Sequence, residues 1–265
     1  VAFFGTETAK RLRARGLAAD LIAGNNVLAH VPRLLDFVEG LQILLKPEGV
    51  VTIEVPHLLR LVAENQFDTI YHEHFSYFSL LVLDALFARV HMRIVDVEEL
   101  WTHGGSLRVH ACRTGASHPE APGVAKVRAD ERAAHLDSAE GYQGFAGKCD
   151  EVRAGLMDFL TQAQDAGRRV AAYGAAAKGN TLLNYCGIGT ELIEYCVDRN
   201  PAKQDTLLPG SRIPVHGPEM MRERRPDYVL ILPWNLKTEI MGQLADLRAR
   251  GTQFVTAIPS ISITA

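Results

Sequence analysis

The sequence predicts an α/β protein of two lobes joined by a helical segment. Apolar, β-branched runs alternate with helically spaced leucines through residues 20–100. Between residues 114 and 168 a stretch containing proline and glycine gives way to Ala-, Glu-, Arg- and Lys-rich helical sequence. From Arg169 the alternation of strand, turn and helix resumes. That order suits parallel sheets with crossover helices, and it sets expected bounds of 1–113, 114–168 and 169–265.

Each element has its own signal. Phe3-Phe4-Gly5 leads into a charged, helix-like segment, and Asp20 to Gly24 reads as a short buried strand entering the polar turn Asn25-Asn26. Leu34, Leu35, Val38, Leu41, Leu44 and Leu45 recur at helical spacing. Lys46-Pro47-Glu48-Gly49 is expected to end that helix before the β-branched strand Val50 to Val55. Ser79 is suited to cap a helix through Arg89, with Leu80, Leu83 and Leu86 inward. Residues 93–97 and 106–111 read as antiparallel strands, and Thr114 to Gly123 as a linker. Two helices are expected over 124–166, divided near Gly141 or Gly144. In the second lobe the strands are 170–173, 193–198, 228–232 and 253–258. Gly174 to Asn180 is expected as a turn, with helices over 181–186 and 236–250.

Composition narrows the function. With 265 residues, 47% hydrophobic and 22% charged, the chain can build sizeable cores. A net charge of -3 excludes a chain-wide electrostatic grip on nucleic acid or anionic membrane. No apolar run approaches the ~20 residues of a membrane-spanning helix, and no signal peptide is apparent. Cys112, Cys149, Cys186 and Cys196 form no Cys-x-x-Cys pair, so reduced thiols, a cytoplasmic location and no metal site are expected.

The densest chemistry lies in Phe67 to Ser79, where Tyr71, His72, Glu73, His74 and Tyr77 stand among aromatic neighbours. Histidine has the side-chain pKa nearest neutrality, ~6.5. Beside a carboxylate and a phenol it suits general acid–base work on a carbon acid or hydroxyl. The same residues also suit a half-buried aromatic turn whose polar groups satisfy one another, and His72 with His74 on one face of an extended segment leaves metal binding open. His30 follows a strand end, where ligands of open α/β sheets lie, or else packs on Pro32. His103-Gly104-Gly105-Ser106 either brings amides close to an anion or is a plain tight turn. Gly174 to Lys178, between strand and helix, can aim N–H groups and a lysine at phosphate, although it is not Gly-x-Gly-x-x-Gly. Asp198 ends the next strand, where related folds hold a ribose, and Asn235 follows Pro233-Trp234.

Taken in order, Gly24-Asn25-Asn26-Val27-Leu28-Ala29-His30-Val31-Pro32, Tyr71-His72-Glu73-His74-Phe75, His103 to Arg108, Tyr173 to Lys178 and Pro233-Trp234-Asn235 resemble the SAM-dependent sugar C-methyltransferases. The resemblance runs over essentially the whole chain. It implies a partial class I methyltransferase, Rossmann-like sheet in the first lobe and a second Rossmann-like lobe that binds substrate. The implied reaction removes a proton next to the ketone of a nucleotide-linked keto-deoxysugar and transfers a methyl group in line. By resemblance His74 is the base, while Tyr71, Glu73 and His30 line the sugar pocket, orient the base or stabilise the enolate. The implied cofactor is S-adenosyl-L-methionine, with S-adenosyl-L-homocysteine as product, held by Phe3, Phe4, Asn25, Asn26 and Val27. Gly104, Gly105, Lys178, Asp198 and Asn235 are the implied substrate contacts. A monomer acting on a small molecule is expected, with no nucleic acid and no membrane. Zinc belongs to an N-terminal cysteine-rich module of the family that this sequence does not include. No Gly-x-Gly-x-Gly precedes Asp20, so the chain is expected to begin midway through the cofactor-binding sheet. Two alternatives stay open: an NAD-dependent oxidoreductase using Gly174 and Asp198, and a non-catalytic nucleotide-sugar-binding fragment.

Overall fold

The computed structural model describes residues 2–265; Val1, the first residue of the expected 1–113 lobe, lies outside the described residues. The chain divides into two compact units. One comprises the residues up to Ala63 together with His72–Gln143, the other Glu64–Tyr71 together with Gly144–Ala265.

The first unit contains α1 (Thr6–Ala14), β1 (Ala19–Asn25), α2 (Leu34–Leu44), β2 (Leu45–Pro56), α3 (Leu58–Ala63), α4 (Leu80–Ala88), β3 (Met92–Leu100), β4 (Ser106–Arg113) and α5 (Pro122–Ala133). Its four-stranded sheet runs β1-β2-β4-β3. β1 is parallel to β2, and β4 is antiparallel to both of its neighbours. Val51, Ile53 and Val55 alternate along β2 into a core shared with Leu41, Leu83, Phe87 and Val109. In α4 Leu80, Leu83 and Phe87 recur at helical spacing on the buried face. Ser79 caps that helix, its hydroxyl accepting from the Val82 N–H at 3.2 Å. Gly40 on α2 lets the helices touch, since a Cβ there would lie 2.8 Å from the Gly5 carbonyl carbon.

The helix α2 ends at Leu44, just ahead of Lys46-Pro47-Glu48-Gly49 as expected, but these four residues lie within β2 instead of before it. β2 begins at Leu45, and its pairing with β1 jumps from Ala19↔Leu45 to Leu21↔Val50. The four residues form an irregularity in the ladder, a position that tolerates a proline lacking the N–H. Lys46 binds Asp20 across it at 2.7 Å.

The second unit adds α6 (Phe145–Asp165), β5 (Val170–Tyr173), α7 (Ala177–Cys186), β6 (Cys196–Val197), β7 (Thr206–Leu207), β8 (Pro214–His216), α8 (Met220–Arg224), β9 (Tyr228–Ile231), α9 (Lys237–Gln243), α10 (Ala245–Arg248), β10 (Gln253–Thr256) and β11 (Ser262–Thr264). The seven-stranded sheet runs β11-β10-β9-β5-β6-β8-β7. Its inner strands are parallel, with antiparallel β11 and β7 at the edges. Both units are thus mixed α/β sheets with parallel strands, the Rossmann-like class expected. β7, β8 and β11 escape a reading of the sequence because strands this short show no readable alternation. α7 starts at Ala177, shortening the expected turn, and the helix expected over 236–250 breaks at the buried Leu244. The helical segment expected over 114–168 is divided: α5 lies in the first unit and α6 in the second. No helix among the described residues is long and apolar enough to cross a membrane.

Candidate active site

In the first unit the site begins where β1 ends. Asn26 takes a left-handed φ of 53° and its N–H donates to the Glu54 carbonyl at 2.9 Å, turning the chain beyond the sheet. A 3-10 helical turn over Leu28–His30 follows, with Leu28 and Ala29 buried and His30 half-exposed. The limb His72 to Ser79 is tied to this turn by the Phe75 N–H, which donates to the Ala29 carbonyl at 2.8 Å. The result brings three rings together. His74 meets His30 edge-on at 4.9 Å between centroids, and Tyr77 lies 5.8 Å from His74 on a similar edge. Buried Phe78 and Ser79 fix the far end of the limb.

The other expected catalytic residues stand differently. Glu73 and His72 are exposed, and Tyr71 is half-buried as the last residue of the segment that belongs with the second unit. His30 and His74 are brought together as a ring pair.

His103 completes this end of the sheet. It adopts φ 57°, followed by Gly104 at 93° and Gly105 at 114°, and its Nε2 lies 3.2 Å from Asn26 Nδ2. Gly105 is required twice over, because a Cβ would also come within 2.7 Å of Arg60 Cγ. Below the turn the buried Glu54 carboxylate accepts from the Thr102 hydroxyl at 2.9 Å and from Arg108 at 3.1 Å. Sequence reasoning assigns no role to His103 or to Glu54. For His103 the available signal is the following Gly-Gly; Glu54, one acid in a strand, gives none.

The residues expected to hold cofactor fall in two places. Phe3 and Phe4 line a cavity of about 340 Å³ with Thr6, Glu7, Arg33 and Asp36. Phe4 is held edge-on by Phe37 at 5.4 Å, and the Thr6 hydroxyl and N–H hold the Asp36 carboxyl below its ordinary range. Asn25, Asn26 and Val27 do not line that cavity, because they end β1 while Phe3 and Phe4 lead into α1.

In the second unit Lys178 and Asn235 do meet. The ammonium donates to Asn235 Oδ1 at 2.9 Å and sits 4.6 Å from the Trp234 ring centroid. Beneath them Asp68, fully buried, accepts from Trp234 Nε1 at 2.8 Å through one carboxyl oxygen, while the other has no partner. Burial pushes the Asp68 pKa up to about 6, against the pull of Lys178 and of Trp234. Burial also lowers Lys178, with Asp68 opposing.

Asp198 lies elsewhere. Its carboxylate accepts from the Ala175 and Asn200 amides, each at 2.8 Å, with Lys203 3.7 Å away. It is thus committed to the turn after β5. Gly174, at φ 93°, answers to Pro233, whose Cδ would lie 2.5 Å from a Cβ. A cavity of about 230 Å³ lined by Tyr173, Gly174, Asp198 and Pro233 opens beyond the carboxyl ends of β5 and β9. Among the described residues no group of three or more His, Cys, Asp or Glu side chains can hold a metal ion.

Similarity to known proteins covers both units. A family described as the C-methyltransferase C-terminal domain matches residues 101–259, and a methyltransferase domain family matches residues 3–97. The C-methyltransferase NovU of Streptomyces niveus is 40% identical over 256 residues, which is 97% of this chain and 61% of that protein. The chain therefore spans 61% of the length of that curated relative. Among solved structures, a SAM-dependent methyltransferase from Anabaena variabilis is 13% identical with a TM-score of 0.34, over 43% of this chain and 56% of that one. A Burkholderia thailandensis 1,6-didemethyltoxoflavin-N1-methyltransferase is 20% identical with a TM-score of 0.29, over 36% of this chain and 44% of that one.

Proposed function

Because the chain belongs to the C-methyltransferase family, we propose that it takes part in methyl transfer from S-adenosyl-L-methionine to a carbon of a nucleotide-linked keto-deoxysugar, with His74 as the base. The observation that carries the reading is the His30–His74 pair, 4.9 Å apart beyond the end of β1. The His74 imidazole takes the proton from the carbon next to the ketone. His30, at its edge, is suited to donate to the enolate oxygen as charge develops there, a contribution worth roughly 3 kcal/mol when the donor is preorganised. Tyr77 rests edge-on against His74 on the same limb, and the buried Phe78 anchors that limb in the core.

Phe3 and Phe4, with the donors of their cavity, fit the nucleoside end of the cofactor, whose bound form supplies an electrophilic methyl group. Asn25, Asn26 and Val27, at the end of β1, would be further residues to hold it. The turn at Gly104 and Gly105 would present its backbone groups to a sugar near His103; in the second unit, Lys178 and Asn235 would offer cationic and amide donors to a phosphate. Asp198 acts through the turn that it organises, and Tyr71 and Glu73 flank the base along the chain. A monomer in the cytoplasm, acting on a small molecule, completes the reading.

The test needs no methyl donor. In D2O with a thymidine diphosphate-linked keto-deoxysugar, the protein should exchange the proton next to the ketone, and His74→Asn should lose that exchange by roughly 100-fold or more while still binding the sugar. Exchange within threefold of wild type would remove His74 from the role. Binding without exchange in the wild type would favour the non-catalytic nucleotide-sugar-binding alternative.

A further inference from the structure

The chain between His57 and Leu80 is a long excursion that carries every residue of the His72–Tyr77 limb, and its two ends meet at one buried carboxylate. Glu131, on α5, is fully buried, and His57, where β2 ends, is 2% exposed. Glu131 Oε1 lies 2.8 Å from His57 Nε2 and accepts from the Leu80 N–H at 2.7 Å; Oε2 accepts from the Leu81 N–H at 2.9 Å. With two backbone N–H groups already donating, the carboxylate is the acceptor and His57 Nε2 carries the proton. The neck is closed a second time in the backbone: the Leu58 N–H donates to the Phe78 carbonyl at 2.8 Å, and the His57 N–H donates to Gly105 at 3.0 Å.

We propose that His57 and Glu131 are positioning residues that clamp the base of the excursion and so set where His74 stands. The proposal rests on the reading of His74 as the base. The physical case is one of leverage. His74 and Tyr77 lie just before the first turn of α4, and on its other side the limb is tied by the Phe75 N–H to Ala29. The first free N–H groups of α4 are satisfied by Glu131 at Leu80 and Leu81 and by Ser79 at Val82. Removing Glu131 would leave the buried Leu80 N–H and His57 imidazole N–H, and the half-buried Leu81 N–H, without their acceptor. The limb would relieve that by shifting, and a displacement of about 1 Å at a reacting group can cost roughly 100-fold in rate. The acid that does this lies on a helix from the Ala- and Arg-rich stretch, far from the histidine run in sequence.

The test uses Glu131→Ala, His57→Leu and His57→Gln, with two readouts on the whole chain. In the D2O exchange reaction, Glu131→Ala and His57→Leu should lower kcat by roughly 10- to 100-fold with KM within about threefold. His57→Gln, whose amide N–H can reach the place of Nε2, should recover most of the loss. In amide hydrogen exchange, Phe75 and Leu80 should lose protection in the two damaging variants while Val109 and Ala111 of β4 keep theirs. This second readout does not depend on His74: if His74→Asn retains activity, the base reading fails and the amides still judge the clamp. Protection of Phe75 and Leu80 unchanged in Glu131→Ala would overturn the proposal. So would loss of protection throughout the β4 amides, which would mark a general structural role, and so would a failure of His57→Gln to recover the rate lost in His57→Leu.

Discussion

Replacing Asp68 by Asn should remove a pH dependence that the second unit carries. Asp68 is fully buried, its one partnered oxygen accepting from Trp234, and its pKa stands near 6 against 3.8 for an ordinary aspartate. Below about pH 4 the folded and unfolded chains both hold this proton. Between about 4 and 6 only the folded chain does, so the folded state loses stability as pH rises through that window. At 1.36 kcal/mol for each pKa unit, the loss amounts to about 3 kcal/mol by pH 7. Asn keeps an acceptor for the Trp234 N–H and cannot ionise, so the dependence vanishes. Urea unfolding followed by tryptophan fluorescence measures it, because Trp234 sits in the cluster whereas Trp101 is 87% exposed and changes little on unfolding. The stability of wild type minus that of Asp68→Asn should fall by about 3 kcal/mol from pH 4 to pH 7. Parallel curves would refute the argument that burial governs this carboxyl. A difference that climbs with pH would show that the attraction of Lys178 prevails over desolvation.

Lys178→Met should weaken binding of a thymidine diphosphate-sugar by about tenfold or more, since a charge-assisted hydrogen bond is worth roughly 1.5–3 kcal/mol; calorimetry in parallel with NAD checks it, and tight NAD binding without sugar binding would promote the oxidoreductase alternative. Gly40→Ala should destabilise the first unit by roughly 1–3 kcal/mol, because the new methyl must push against the Gly5 backbone; an unchanged thermal melt would show that α1 and α2 do not meet there.

Much of the fold is legible in the sequence. The β-branched run Val50 to Val55, the Ser79 cap and the antiparallel pair 93–97 and 106–111 all carry strong local signals, and each stands where expected. Lys46 to Gly49 end α2 as expected, but that β2 already begins at Leu45 is not legible, because Pro and Gly hide a strand whose ladder irregularity only the partner strand reveals. The histidine run announces itself by residue type, and His30 by its place after a strand. What sequence does not contain is the pairing of distant residues. Glu131 looks like any acid on an amphipathic helix until His57 and the α4 N–H groups are seen around it. Asp68, although it stands beside the histidine run, has its meaning set by Trp234 and Lys178.

The path of the chain has a consequence for how such a protein can be divided. The backbone passes between the units at Ala63/Glu64, returns at Tyr71/His72 and passes again at Gln143/Gly144. Residues 144–265 expressed alone would lack Phe67, which packs in that unit's core, and Asn65, whose amide holds the Lys148 carbonyl at 2.9 Å. They would also bury Lys178 without the carboxyl that faces it. Neither unit is therefore a stretch of contiguous sequence that can be cut out whole. During synthesis the segment Glu64–Tyr71 leaves the ribosome well before the strands it will join and must wait for them. A transplant of the second unit between related chains has to carry this short segment with it, and a chimera spliced at Gly144 would inherit a mismatched plug in its core.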